Sequence, residues 1–238
     1  MKLDILAFGA HPDDVELTCS GTIISHVKQG KRVGIVDLTQ GELGTRGTPE
    51  IRLKEAKESA KILGVSTRVN LGFEDVYFSN DKAHQLEIIK MIREFQPEIV
   101  LANAIRDRHP DHPKAAQLVK QSCFMAGLQK IVTKFENKQQ NAWRPKAVYH
   151  YIQSSYVEPD FVVDVTPYWD QRMKSVMAFK SQFFDPSNKE PETFISSKQF
   201  QDFLSARGVD FGKTIGVKYG EGFTANRFPG VKNLFDLI

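Results

Sequence analysis

LDILAFGAHPDDVE, residues 3–16, joins an apolar run to a histidine, a proline and two adjacent aspartates. Leu3–Phe8 reads as a buried strand. A turn after it needs Pro12 and at most one aspartate, so His11 beside both Asp13 and Asp14 is more than a turn requires. A second apolar run, Ile99–Ala102, leads into NAIRDRHPDHPKAA, residues 103–116, where His-Pro-Asp recurs at 109–111. Two such segments at equivalent places in the chain point to a shared site.

The runs Val33–Leu38 and Val69–Leu71 supply two further strands. Helical periodicity fills the gaps. Ile23, Ile24 and Val27 share one face, with Gly30 as a stop, and Thr48-Pro49 opens a helix as N-cap and first helical residue. Leu86, Ile89 and Ile92 line another helix, and Ala116, Val119 and Cys123 a fourth. Strand and helix in alternation imply βαβ units: an α/β fold with a largely parallel sheet and helices on both faces. After Gly127, AVYHYIQSS and DFVVDV suggest two more strands, with a helix near Tyr168–Phe183. From Asp185 onward the chain is rich in Phe, Gly, Lys and Pro and suggests an irregular region. No linker or repeat divides residues 1–238, which read as a single domain.

Ligands of open α/β sheets bind beyond the carboxyl ends of the strands, where both His-Pro-Asp segments fall. Imidazole and carboxylate suit zinc, and three protein ligands leave a position open for substrate. His11, Asp14 and His112 fill that role, with Pro12 and Pro110 stiffening the turns. Asp13 is then a spare carboxylate able to take a proton from a metal-activated water. His109 stands to donate a proton or hydrogen bond to the tetrahedral intermediate. His26, His84 and His150 sit on helix or strand patterns and read as packed or solvated side chains. The loop TQGELGTRGTPEIRLKEA, residues 39–56, spaces its glycines as neither a dinucleotide fingerprint nor a P-loop. It is either a surface loop or an active-site lid whose Arg46 and Arg52 bind an anion; Glu55 offers Arg52 a helical partner instead.

A net charge of +3 gives no basis for nucleic-acid binding, and no apolar run approaches the ~20 residues of a membrane span. Cys19 and Cys123 form no CxxC pair and read as ordinary thiols of a cytoplasmic protein. A nucleotide-dependent oxidoreductase would need a glycine-rich turn where His11-Pro-Asp-Asp stands.

AHPDD near the N-terminus, RDRHPDHPKAA after the fourth strand and the GELGTRGTPEIRLKEA segment together resemble the PIG-L/LmbE-like family of zinc-dependent N-acetylglucosamine deacetylases. The resemblance implies a Rossmann-like fold. It implies metal ligation by His11, Asp14 and His112 (zinc, with iron, manganese or cobalt also admissible), Asp13 as general base, His109 at the carbonyl oxygen and Arg52 at the substrate. Asp111, between the two histidines, is expected to orient one of them. LTCSGT, KSQFFDPSNKEPETFIS and YGEGF resemble the bacillithiol-biosynthesis branch, which implies N-acetylglucosaminyl L-malate as substrate and a homo-oligomer, in that branch a hexamer. A malate dianion would suit Arg46, Arg52, Arg106 and Arg108. Mycothiol precursors, chitooligosaccharides and glycopeptides are the alternative substrates of soluble relatives, and a non-catalytic metal- or sugar-binding module is the alternative role.

Overall fold

The computed structural model describes residues 1–237. In chain order its elements are β1 (Ile5–Gly9), α1 (Asp14–Lys28), β2 (Val33–Thr39), α2 (Pro49–Leu63), β3 (Thr67–Phe73), α3 (Lys82–Phe95), β4 (Ile99–Ala102) and α4 (Asp111–Ala126). A two-residue hairpin, β5 (Lys134–Phe135) and β6 (Lys138–Gln139), precedes β7 (Ala147–Tyr151), β8 (Phe161–Asp164), α5 (Trp169–Val176), α6 (Lys198–Thr214) and β9 (Gly220–Ala225). The main sheet runs β3-β2-β1-β4-β7-β9-β8. It is parallel from β3 to β7, and β9 pairs antiparallel with both β7 and β8.

The alternation in β1 sorts the two cores. Leu6 and Phe8 join the side chains of α3 and α4, while Ile5 and Ala7 join Val15, Ile23 and Ile24 of α1 on the opposite face. Helices therefore cover both faces, as the βαβ pattern requires. Because β2 and β3 lie to one side of β1 and β4 to the other, the strand order reverses between β1 and β4. A crevice opens there at the carboxyl ends, and the two His-Pro-Asp segments flank it.

The C-terminal region is more regular than its composition suggests. Within α6 Phe200 and Leu204 pack on Phe179 and Phe183, and Gly208 brings the helix against Trp169: a Cβ there would lie 2.3 Å from the indole. Gly222 in β9 packs on the Phe211 ring in the same way. These glycines serve close approach, although by local propensity they read as loop. The helix foreseen near Tyr168–Phe183 is shorter, Trp169–Val176. Glu221 of β9 accepts from the N–H groups of Gly21 and Thr22, just past a kink in α1 at Cys19. The last strand thus secures the helix that starts at the site. Cys19 and Cys123 are buried and unpaired. Among the described residues no helix is long and apolar enough to cross a membrane.

Candidate active site

Turn 9–13 ends with Asp13 at φ 137°, a conformation that non-glycine residues rarely adopt. The turn is over-determined. The His11 N–H donates to Asp14 Oδ2 at 2.9 Å, and Arg52 donates to the Pro12 carbonyl at 3.0 Å and to Asp13 Oδ2 at 3.2 Å. Arg52 also reaches the Gly41 carbonyl, where φ is +65° and a Cβ would collide with the guanidinium. Such strain persists where the surroundings enforce it, commonly at functional sites.

His112 Nε2 lies 3.2 Å from Asp14 Oδ1, and His11 Nδ1 lies 3.6 Å from Asp14 Oδ2. The ring of His109 stands 4.8 Å from that of His11 and 5.0 Å from that of His112. Nitrogens of the three histidines lie within 4.8 Å of one another. Each imidazole of the pair beside Asp14 is fixed from behind. His11 Nε2 faces Asp75 Oδ1 at 3.1 Å and Asp111 Oδ2 at 3.4 Å, and His112 Nδ1 faces Asp107 Oδ2 at 2.5 Å. With a cation between them and Asp14, protons on those far nitrogens would leave His11 Nδ1 and His112 Nε2, the two atoms beside Asp14, as donor atoms. Gln153 donates to Asp14 Oδ1, and Asn103 to Asp14 Oδ2.

Burial, only partly offset by Arg52, pushes Asp13 up to about 7. Burial opposes charge on Asp14 as well, but His112 and His11 hold it well below the usual carboxylate range. Burial also opposes charge on the imidazoles, yet Asp14 and Asp107 raise His112 to about 9, and Asp111, Asp14 and Asp75 raise His11. His109 goes the other way, lowered by burial and by its two neighbouring histidines. Its Nδ1 accepts the Asp111 N–H at 3.3 Å, so the neutral ring carries its proton on Nε2.

The donor set fits a divalent cation. Asp13, Asp14, Asp75, Asp107 and Asp111 gather around two imidazoles, with Arg52 and Lys114 as the formal cations that bond to them. Nitrogen and carboxylate donors backed by carboxylates are a common zinc environment. A cavity of ≈ 270 Å³ opens beside them, lined among others by His11, Asp13, Asp14, His109 and His112.

Residues 6–123 match the family model PIG-L, described as GlcNAc-PI de-N-acetylase. The crystal structure of the conserved protein TT1542 from Thermus thermophilus superposes with a TM-score of 0.86 at 32% identity, covering 98% of each chain. The chain belongs to the PIG-L family. Diacetylchitobiose deacetylase of Thermococcus kodakarensis is 29% identical over 238 residues, 95% of this PIG-L chain and 84% of the relative. A probable N-acetyl-alpha-D-glucosaminyl L-malate deacetylase 2 of Bacillus cereus is 26% identical over 200 residues, 76% of this chain and 84% of the relative. The similarity also reaches 4-oxalmesaconate hydratase of Pseudomonas putida, 27% identical over 203 residues, 74% of this chain and 73% of the relative.

The structure brings His11, Asp13, Asp14, His109 and His112 of this PIG-L chain to one pocket, and places Asp111 against His11. Arg46, Arg52 and Arg108 line the same pocket in different states. Arg52 is bound to Asp13 and two carbonyls; Arg108 lies 4.2 Å over the Phe194 ring; Arg46 is buried with its Nε unbonded. Arg106 bonds the Tyr156 carbonyl. Of the other histidines, His26 and His150 bond main-chain carbonyls, His84 bonds Asp81, and none lines the pocket. Asp75, Asn103, Asp107 and Gln153 were not singled out from sequence. Their one shared signal is position, at or just past the carboxyl ends of β3, β4 and β7.

Proposed function

We propose that the protein is a metal-dependent N-deacetylase of a small N-acetylglucosamine conjugate, with N-acetylglucosaminyl L-malate as substrate. The observation that carries this reading is the convergence of His11, Asp14 and His112 at the β1/β4 crevice with Asp13 held beside them by Arg52. His11, Asp14 and His112 would hold zinc. When bound, such an ion polarises a carbonyl and acidifies a water. Asp13, with a carboxylate raised to about 7, takes the proton of the attacking water near neutral pH. Arg52 keeps that carboxylate aimed and ionised. His109 presents Nε2–H to the carbonyl oxygen as negative charge develops there. The proton held by Asp13 then passes to the departing amine, leaving acetate and the free amino sugar. The named activities of the deacetylase relatives support the reaction, and Arg46 supports an acidic aglycone.

The hydratase relative favours one second reading, addition of water to a carbon–carbon double bond by the same base. Acetate release from metal-loaded protein separates the two. N-acetylglucosaminyl malate, N,N'-diacetylchitobiose and N-acetylglucosamine are offered side by side, with a chelated control. Chelator-sensitive acetate release favouring the malate conjugate is expected. No acetate from any of them, with hydration of 4-oxalmesaconate, replaces the reading with the second.

A further inference from the structure

Of the buried and half-buried arginines along the pocket, three are held by the protein itself. Arg52 bonds Gly41, Pro12 and Asp13; Arg172 donates to Glu221 at 3.0 Å and to the Leu17 carbonyl at 2.6 Å; Arg207 donates to the carbonyls of Gln153 and Ser154. Arg46 differs. It is 5% exposed, and its Nε, like that of Arg52, meets no hydrogen-bond acceptor, but where the terminal nitrogens of Arg52 are bonded, the ion pair of Arg46 is a loose 3.7 Å approach from Glu190 Oε2. A buried guanidinium without a bonded acceptor is unfavourable, so the position favours an incoming anion.

The seat around Arg46 is built for a carboxylate. Glu190 Oε1 takes the N–H of Gly47 at 3.2 Å, supplying a second contact beside the cation. Gly47 has φ +72°, and a Cβ there would lie 2.7 Å from Ser181 Oγ, so only glycine leaves this N–H presented. The Arg46 carbonyl is fixed by Gln182 at 2.7 Å. Arg46, Ser181 and Gln182 are all buried, whereas the Glu190 side chain is 44% exposed. Glu190 rides on the irregular stretch between α5 and α6, which also lays Phe194 over Arg108. The walls are buried and the occupant is half exposed.

We propose that Glu190 is a resident competitor for the seat of a substrate carboxylate, and so sets how strongly the pocket prefers acidic over neutral conjugates. The inference rests on the deacetylase reading for the identity of the incoming acid. The test is calorimetric titration of L-malate alone into the metal-loaded protein, for the wild type, Glu190→Gln, Glu190→Ala and Arg46→Met/Glu190→Gln. Removing a half-exposed ion-pair partner should tighten malate by about fivefold in both single variants, and the gain should vanish in the double variant. Unchanged affinity, or a gain that survives without Arg46, overturns the proposal. In turnover, the ratio of kcat/KM for the malate conjugate over N,N'-diacetylchitobiose should rise by about the same factor in Glu190→Gln. An unchanged ratio overturns it too. If no conjugate releases acetate but Glu190→Gln still tightens malate through Arg46, the function assigned above fails and the seat stands.

Discussion

Arg52 and Asp13 face each other at 3.2 Å with both side chains buried, an ion pair set beside the candidate metal ligands. In the proposed reaction the pair makes Asp13 a usable base. Burial alone would drive the carboxylate upward, and Arg52 is the largest influence lowering it. A base works when deprotonated, so activity is lost as pH falls through its pKa. Arg52→Gln removes the lowering charge, and the acid limb of the kcat/KM profile should move to higher pH; Arg52→Lys should move it less. The comparison is made at equal metal loading. A limb at the same pH in all three proteins would show that another group governs it.

Asp13→Asn keeps the size of the side chain and removes the proposed base. Turnover should fall by about 10²–10⁴-fold, the usual range for a general base, while bound metal per chain stays at the wild-type level. Metal analysis after gel filtration checks the second half. Loss of metal together with activity would make Asp13 a ligand.

His112 takes its orientation from Asp107, 2.5 Å from its Nδ1. Asp107→Asn weakens that bond and should lower metal affinity by about 10–100-fold, the usual effect of removing a carboxylate behind a ligating histidine. Titration against a competing chelator reads the affinity directly. Because a bound ion stabilises only the folded state, the Tm gained on adding zinc should shrink in the same variant. Wild-type affinity in Asp107→Asn would leave Asp107 the task of holding the Ser155 N–H alone, at 2.6 Å.

How much of this was legible in the sequence depended on how local each signal was. The alternation of β1 and the capped start of α2, where Thr48 accepts from the Ile51 N–H, are written in neighbouring residues. So are the two His-Pro-Asp segments, and strand alternation with helices brought them to one crevice. Asp75, Asn103, Asp107 and Gln153 act on His11, Asp14 and His112 across separate strands, and nothing beside them in the chain marks that role. The helix α6 was hidden for another reason. Its glycines lower helix propensity, and what they allow, contact with Trp169 and with the 217–219 backbone, is visible only in three dimensions.

That contact gives a test of the C-terminal region as part of the fold. The Trp169 indole has little room to yield to Gly208→Ala: it stacks on Tyr219 at 4.1 Å, and Arg172 lies 4.5 Å above it. Overpacking of this kind costs about 1–3 kcal/mol. For a chain of this size Tm should drop by about 2–4 °C for each kcal/mol. The substitution lies outside the candidate metal site, so zinc affinity measured below the transition should remain that of the wild type. Gly208→Ala paired with Trp169→Phe removes the obstructing atoms and should be less destabilised than the sum of the two single variants. Simple additivity in that double-mutant cycle would mean that α6 does not pack on Trp169 at Gly208.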